Sequence, residues 1–459
     1  MSLMPSLDIN PQRRSLLKAA AASVAVGAGG TLAFPAIAQA KPFAGVKLRG
    51  AAYQHGFFNI LRKYIPEFEQ QTGMTVDLQL SAFPVYNQQA DLELSSGGSA
   101  WDFCNVTFIL AARWVAAGLL ANLSDFAADR KLTPASWNPD DFVKGAQLPY
   151  LDKAGKAYGF AWEGGAMLMG ISRTDLMKKR GVEAPRTFDE LMKVAEAIHG
   201  QDGGSGPVTG FVSSNLHHWF LPPYVQGFGG DFFVNPPTDI KPALDSAASV
   251  QATEFYARLL SRYSPQGVLG YTEDQARAAL IGGRSNIFIH SSSWVSAMLT
   301  SPDSKVKDTA RVMRMPAGPK GDFPASNSQG LGIPKNAKNK EAAWEFIKWT
   351  LSPELCARIV KDTGHPSICR RSVIESAEYK RINTINGQDL GKLYLEVLEQ
   401  PGKTHNYMAY RTVKEFPLVG DVVNKAVERV VSGQQPAAES MKAAQDAALN
   451  ALRRAGAKV

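Results

Sequence analysis

The sequence holds only three cysteines in 459 residues, and no two are spaced as CxxC. That leaves zinc knuckles and thioredoxin-type redox chemistry without ligands. GxSxG and HExxH do not occur, and the glycine-rich stretch 200–207 lacks the GK[ST] of a phosphate cradle, so it reads as a turn. There is no dense block of lysine and arginine. The net charge of +8 is mild for this length and includes Arg13, Arg14 and Lys18 against Asp8 in the first 40 residues. A nucleic-acid partner is therefore not expected. Beyond that segment no run is long and apolar enough to cross a bilayer. What remains is a globular profile, 45% apolar and 20% charged, with length for two or three domains.

The N-terminal segment speaks to location. Arg13-Arg14 precede Leu16-Leu17-Lys18 and an uncharged run that ends in Ala38-Gln39-Ala40. The run is rich in alanine and glycine, weaker than a membrane anchor, and its end is an A-x-A cleavage pattern. It resembles a twin-arginine export signal, with Gln12 and Leu16 in place of the commoner Ser/Thr and Phe. Residues 1–40 are expected to be removed, with the mature chain starting near Lys41. No cysteine follows the cleavage pattern, so a free periplasmic protein of a Gram-negative cell is expected, without a lipid anchor. In that oxidising compartment Cys104, in the strand-like "WDFCNVTF", reads as a buried thiol. Cys356 and Cys369 either pair across a short loop or stand as separate thiols.

Residues 47–81 read as a βαβ unit: the strand "KLRGAAY", a helix with Phe57, Leu61, Tyr64, Ile65 and Phe68 on one face and Gly73 as its stop, then "TVDLQL". Ligands of such units bind beyond the carboxyl ends of the strands. Tyr53, Gln54, His55, Ser81 and Thr107 are pocket candidates on that geometry. Thr187 and Glu190 form a capping box ahead of an apolar face at Leu191, Val194, Ala195 and Ile198. "SNIFIHSSSW" gives a strand with Trp294 just past it. Trp344, Ile347 and Leu351 share a helical face, and Trp344 and Trp349 read as core or helix face. The tail is an alanine-rich helix.

The order of these motifs resembles the family 1 extracellular solute-binding proteins of ABC importers, the maltose-binding-like group. Glu67-Phe68-Glu69-Gln70-Gln71-Thr72-Gly73 is similar to that family's EFEKxTG element. Residues 171–181 match YNKDLFEKAG, and Pro185-Arg186-Thr187-Phe188-Asp189-Glu190-Leu191 match PxTWDEL. Residues 316–354 match PxGPxG…GIxKxxKNKEAAWxFIxxLxSxE, and 433–445 match a late element loosely. The resemblance covers nearly all of the chain after residue 40. It implies an α/β, type II periplasmic binding protein with two lobes, hinge crossings near 162–166, 313–316 and 350–353, and a ligand in the cleft. The lobes would be 41–163 plus 315–350 and 164–314 plus 351–459. Lobe closure around the ligand would present a surface to the importer's permease subunits.

The resemblance also places pocket residues. Trp219 falls where the family sets an aromatic floor under a sugar ring, and His217 where a polar group meets a hydroxyl. Trp162 and Glu163 lie at the first crossing, Trp294 follows the GxxxMxxxGxW element, and Tyr410 and Arg411 lie in a late closing loop. Stacked rings with several oriented polar groups suit a carbohydrate. His217-His218 as a zinc pair lacks ligand spacing, so no metal and no cofactor are expected, and His218 reads as solvent-facing or structural. A glycoside hydrolase would need two carboxyls in the cleft, and only Glu163 can be placed there, so no catalytic residue is assigned. The expected function is capture of a carbohydrate-like solute by a monomeric protein for an ABC importer. The alternative ligand is an anion: a sugar acid, sugar phosphate, sugar sulfonate or organic acid, met by Arg411, His55 and His217.

Overall fold

The computed structural model describes residues 41–459, apart from 325, 401–408 and 414. Met1–Pro42 form one unit and Phe43–Val459 another, and the second carries the fold. The export segment expected over 1–40 lies outside the described residues. No helix among the described residues is long and apolar enough to cross a membrane.

The strands are β1 (Lys47–Tyr53), β2 (Thr75–Ser81), β3 (Phe103–Thr107), β4 (Phe160–Ile171), β5 (Gln201–Asp202), β6 (Pro207–Val212), β7 (Phe233–Asn235), β8 (Asp239–Pro242), β9 (Ser285–Ser291), β10 (Arg311–Arg314) and β11 (Ser326–Gly332). Nine of them form one mixed sheet in the order β2-β1-β3-β11-β4-β9-β6-β5, with β10 also on β4, while β7 and β8 pair as a hairpin. β1 and β2 run parallel from Lys47↔Thr75 to Tyr53↔Ser81, as the βαβ reading requires. Their connection is two helices, Gly56–Leu61 and Ile65–Thr72, where one was expected. Pro66 explains the break: it has no N–H for the carbonyl of Arg62, and it sits in the first turn of the new helix, where none is needed. The apolar stripe still holds, with Phe57, Phe58, Leu61, Ile65 and Phe68 buried. Gly73 ends the second helix at φ 75°, where a side chain would be strained.

β4 joins the two halves of the sheet. Its residues up to Ala166 pair with β11, and from Met167 they pair with β9. β10 pairs with its far end, Leu168 to Ile171. All twelve residues of β4 are buried, as a strand covered on both faces must be. Glycine is required where neighbours close on it: a Cβ at Gly165 would stand 1.9 Å from Asn327 Oδ1, and one at Gly164 2.8 Å from Leu398.

One core cluster gathers β1, β3, the Gly56–Leu61 helix and Trp137, Trp344 and Phe346, and extends to Phe288, Val295 and Met298. The other gathers Leu191, Phe211, Tyr256, Ile287, Phe416 and the C-terminal helix Ala437–Arg454. The segment 351–399, expected with the second lobe, packs in the first cluster through Leu355, Cys356, Ile359, Tyr379, Tyr394 and Leu398. Its helix Pro353–Thr363 is tied to the helix Ile65–Thr72 by Arg358–Glu67 at 2.7 Å, and Asp362 accepts from the neighbouring Tyr64 hydroxyl at 2.7 Å. Leu398 lies in the first cluster and Tyr410 in the second.

The cap at Thr187 is half the expected box. Thr187 Oγ1 accepts the Glu190 N–H at 3.2 Å, but Glu190 Oε2 accepts from Arg186 N–H at 2.7 Å rather than from Thr187. Cys104, Cys356 and Cys369 are buried free thiols, and burial pushes the first two up to about 12.

Candidate functional site

The site grows from one transverse row of the sheet. Thr107, the last residue of β3, faces Gln329 of β11, which faces Glu163 of β4. Adjacent strands lie about 4.8 Å apart, so Thr107 and Glu163 stand roughly 10 Å apart along the row. Asn105 braces it from β3: its Nδ2 donates to Gln329 Oε1 at 3.2 Å, and its Oδ1 accepts from Trp162 Nε1 at 2.9 Å. Thr107 Oγ1 is buried with no hydrogen-bond partner.

His55 closes on Glu163 from the end of β1. It caps the helix Gly56–Leu61, with Nδ1 accepting the N–H of Phe57 at 3.2 Å. That bond leaves Nε2 as the protonated nitrogen of a neutral ring, and Nε2 stands 3.4 Å from Glu163 Oε2. Burial pulls the imidazole down to about 4 and pushes the Glu163 carboxyl up to about 8. The pair is thus uncharged at neutral pH, a carboxylic acid beside a neutral imidazole. Tyr53 borders it, its ring 5.4 Å from His55 and 6.3 Å from Trp162.

A second carboxyl–imidazole pair comes from the other half of the sheet. His290, near the end of β9, sets Nε2 2.8 Å from Oε1 of Glu273 in the first turn of the helix Glu273–Ile281. Burial acts to raise the Glu273 carboxyl, but the His290 bond and charge bring it below its ordinary value. Burial, then the field of Glu163 and less that of Glu273, raise the Tyr53 hydroxyl. Trp294 lies 5.4 Å from the His290 ring, with the Arg277 guanidinium 5.6 Å from its own. Ser292 and Ser367 hydroxyls meet at 3.2 Å beside them.

A third wall is aromatic. Phe108, directly after Thr107, meets Trp219 edge-on at 5.3 Å. The Arg411 guanidinium sits 4.9 Å from the Trp219 ring and 5.2 Å from Phe108, and its Nε donates to the Tyr410 hydroxyl at 3.0 Å. Arg411 is buried, so this is a desolvated cation over two rings.

The twelve residues expected at the site divide. Tyr53, His55 and Glu163 come together around the first carboxyl, Trp294 stands by the second pair, and Thr107, Trp219 and Arg411 gather at the aromatic wall. Ser81, at the end of β2, bonds to Gln89 Oε1 at 3.2 Å, and Gln54 is exposed with its N–H on the Ser81 carbonyl. Trp162 is a core ring, 1% exposed and stacked on Phe57 at 4.5 Å, so its faces are filled by protein. Tyr410 packs on Phe232 and Phe416 and acts through Arg411. His217 points into the second core, 3.4 Å from the Tyr256 hydroxyl, with burial and then the neighbouring His218 pulling it down to about 4. His218 is structural, its backbone and ring both on Asn424. The reasoning from sequence missed Asn105, Glu273, His290 and Gln329. His290 was open to the strand-end rule that selected Tyr53 and Thr107, whereas Glu273 starts a helix and carries no such signal.

Two half-sheets are joined by one strand, and polar pairs and aromatic rings come from both halves. A family model for bacterial extracellular solute-binding proteins matches residues 51–355. The chain belongs to this family. The bacterial extracellular solute-binding proteins serve transport and are not enzymes. A Sinorhizobium fredii protein named as a probable amino-acid ABC transporter periplasmic-binding protein is 23% identical over 93% of this chain and 96% of its own. The mannitol-binding protein of Pseudomonas aeruginosa is 24% identical over 81% and 85%. The crystal structure of an Agrobacterium radiobacter ABC transporter solute-binding protein in complex with ribitol superposes with a TM-score of 0.76 at 21% identity, over 88% of this chain and 98% of that one. The fold is therefore the two-lobed α/β fold of the periplasmic solute-binding proteins.

Proposed function

We propose that the protein captures a neutral polyhydroxylated solute, a sugar or an alditol, between its lobes and delivers it to an ABC importer. The lobes are read as 43–166 with 326–399 and 167–314 with 409–459. The observation that carries the ligand class is the pair of carboxyl–imidazole couples, His55–Glu163 and Glu273–His290, one from each half of the sheet. His55–Glu163 offers donors and acceptors to hydroxyls with both members neutral, Glu273–His290 offers a carboxylate acceptor, and Trp219 and Trp294 offer ring faces. The ionised Glu273 disfavours an anion. The anionic reading therefore rests on Arg411 alone, and Arg411 is already engaged with Tyr410 and two rings. The mannitol and ribitol bound by relatives point the same way.

Tyr53, Gln54, His55, Ser81, Thr107, Trp162, Glu163, His217, Trp219, Trp294, Tyr410 and Arg411 remain the proposed site, with Trp162, His217 and Tyr410 as supports behind its surface. Glu273 and His290 join it. Twin-arginine export, removal of residues 1–40, a free periplasmic location, a monomeric state and partnership with permease subunits belong to the same reading. Glu273 supplies the second carboxyl that a glycoside hydrolase would need, yet the family is one of transport, so incubation with nitrophenyl glycosides is expected to release no product.

The deciding experiment is a thermal-shift and calorimetric screen with ribitol, mannitol, maltose, sugar acids and sugar phosphates. A ligand at a hundredfold excess over Kd stabilises the folded state by about 2.7 kcal/mol. Shifts with neutral solutes that vanish in Trp219→Ala support the reading. Shifts with anions alone, abolished by Arg411→Ala, would replace it.

A further inference from the structure

A groove of about 570 Å³ lies apart from the cleft residues, between β10, the chain just after it and the helix Leu390–Glu399. Arg186, Arg311, Arg314, Asp322, Lys392 and Glu396 line it. Its walls come from both halves: β10 pairs with the far end of β4, and the helix packs through Tyr394 and Leu398 in the first core. The groove therefore straddles the passage between lobes.

Its charge is uneven. Asp322 is held by Arg314, with Nε donating to Oδ2 at 2.8 Å and the ion pair closing at 2.6 Å. Gln400 locks that pair by donating to the Asp322 carbonyl at 2.8 Å. Asp389, also on the wall, caps its own helix and pairs with Lys380. Arg186, Arg311 and Lys392 have no ion-pair partner among the described residues, and Glu396 is the one acidic wall residue left against them. The wall thus carries three carboxylates, Asp322 and Asp389 paired with Arg314 and Lys380 and Glu396 unpaired among the described residues, against three further cations.

We infer that this groove is a second ligand site for a small multivalent anion, a tricarboxylate or a phosphate compound, held by Arg186, Arg311 and Lys392. A volume of this size suits a metabolite. Guanidinium forks pair two-pronged with carboxylate or phosphate. Because the groove is built from both lobes, occupancy is linked to the hinge. The inference does not depend on what the cleft binds.

The test is citrate, and in a second arm inorganic phosphate, titrated into the full chain at constant ionic strength and followed by calorimetry and melting temperature. Saturable binding is expected, weakened at least about tenfold in Arg186→Glu/Arg311→Glu and kept in Arg411→Ala. Arg311→Gln, a milder change at an exposed residue, is expected to weaken it partially if the double variant folds poorly. The arm that saturates at lower concentration identifies the anion chemistry. A response that fails to saturate, or that chloride reproduces, would be screening alone and overturns the site. Loss of binding in Arg411→Ala with retention in the double variant would place the anion in the cleft and overturn it equally.

Discussion

The Glu163 carboxyl is the group whose removal should tell most. Burial holds its pKa near 8, against about 4.3 in an unfolded chain. The sign follows from which state keeps the proton. Folded Glu163 stays protonated up to pH 8, whereas the unfolded residue ionises above about pH 4. Its contribution is therefore fully present below pH 4 and falls away as pH rises towards 8. Between pH 5 and pH 9 the loss is about 4 kcal/mol, at 1.36 kcal/mol per unit of separation. Glu163→Gln removes the titration and keeps the shape. Urea unfolding of both proteins at five pH values should show the variant gaining on the parent by about that amount, with most of the gain between pH 5 and 8. The gain should appear without solute, because the cause is burial. Parallel profiles, within about 0.5 kcal/mol from pH 5 to pH 9, would refute the reasoning. They would mean that Glu163 is ionised in the folded state, compensated by a charged His55, and that the cleft is not neutral.

Other outcomes follow from the same contacts. His55, His217 and His365 are each pulled down to about 4 by burial, so each loses stability as pH falls from 6.5 towards 4, and His217→Gln should flatten part of that acid limb in urea unfolding. Arg370 is buried, stacked on Phe142 at 4.0 Å, and donates to the carbonyls of Leu351 and Asn138 with Asp141 3.6 Å away, so Arg370→Ala should cost about 3 kcal/mol by urea unfolding. Arg358→Ala breaks an exposed pair with Glu67 and should cost under about 1 kcal/mol. Trp162→Phe leaves Asn105 Oδ1 without its donor and should cost about 2 kcal/mol in stability, with a smaller effect on solute affinity than Trp219→Ala by calorimetry.

The fold was legible where the pattern is local. The parallel pair β1–β2, the helix after Thr187 and the alanine-rich C-terminal helix follow from periodicity and caps. Which core the segment 351–399 joins was not legible, because Leu355, Ile359 and Tyr394 would be equally apolar in either core. Only the partners across the chain, Glu67 and Tyr64, decide it. The site divides in the same way. Strand ends are visible in sequence, and they gave Tyr53, His55 and Thr107. What a side chain does with its faces is not visible: Trp162 and Trp219 look alike in one dimension, yet one is stacked inside the core and the other meets Phe108 and Arg411 at the junction of the halves.

That difference bears on how closure can work. A ring buried on one side, such as Trp162, cannot change partners when the lobes move, so it fixes Asn105 and through it the row Thr107–Gln329–Glu163. Contacts made between halves include Phe108 with Trp219 and Arg411, Ser292 with Ser367, and the side chains of Gln388 and Asn386 with the backbone of Val312 and Ala310. Weak edge-on and hydroxyl contacts of this kind cost little to break, about 1 kcal/mol each. A solute that supplies stronger hydrogen bonds to Glu163 on one side and Glu273 on the other can therefore replace them and still bias the lobes towards closure. If so, Ser292→Ala should leave the solute-bound state nearly unchanged while opening the empty protein, seen as a larger radius of gyration without solute and a normal one with it. An identical radius in both proteins without solute would remove Ser292–Ser367 from the closing contacts.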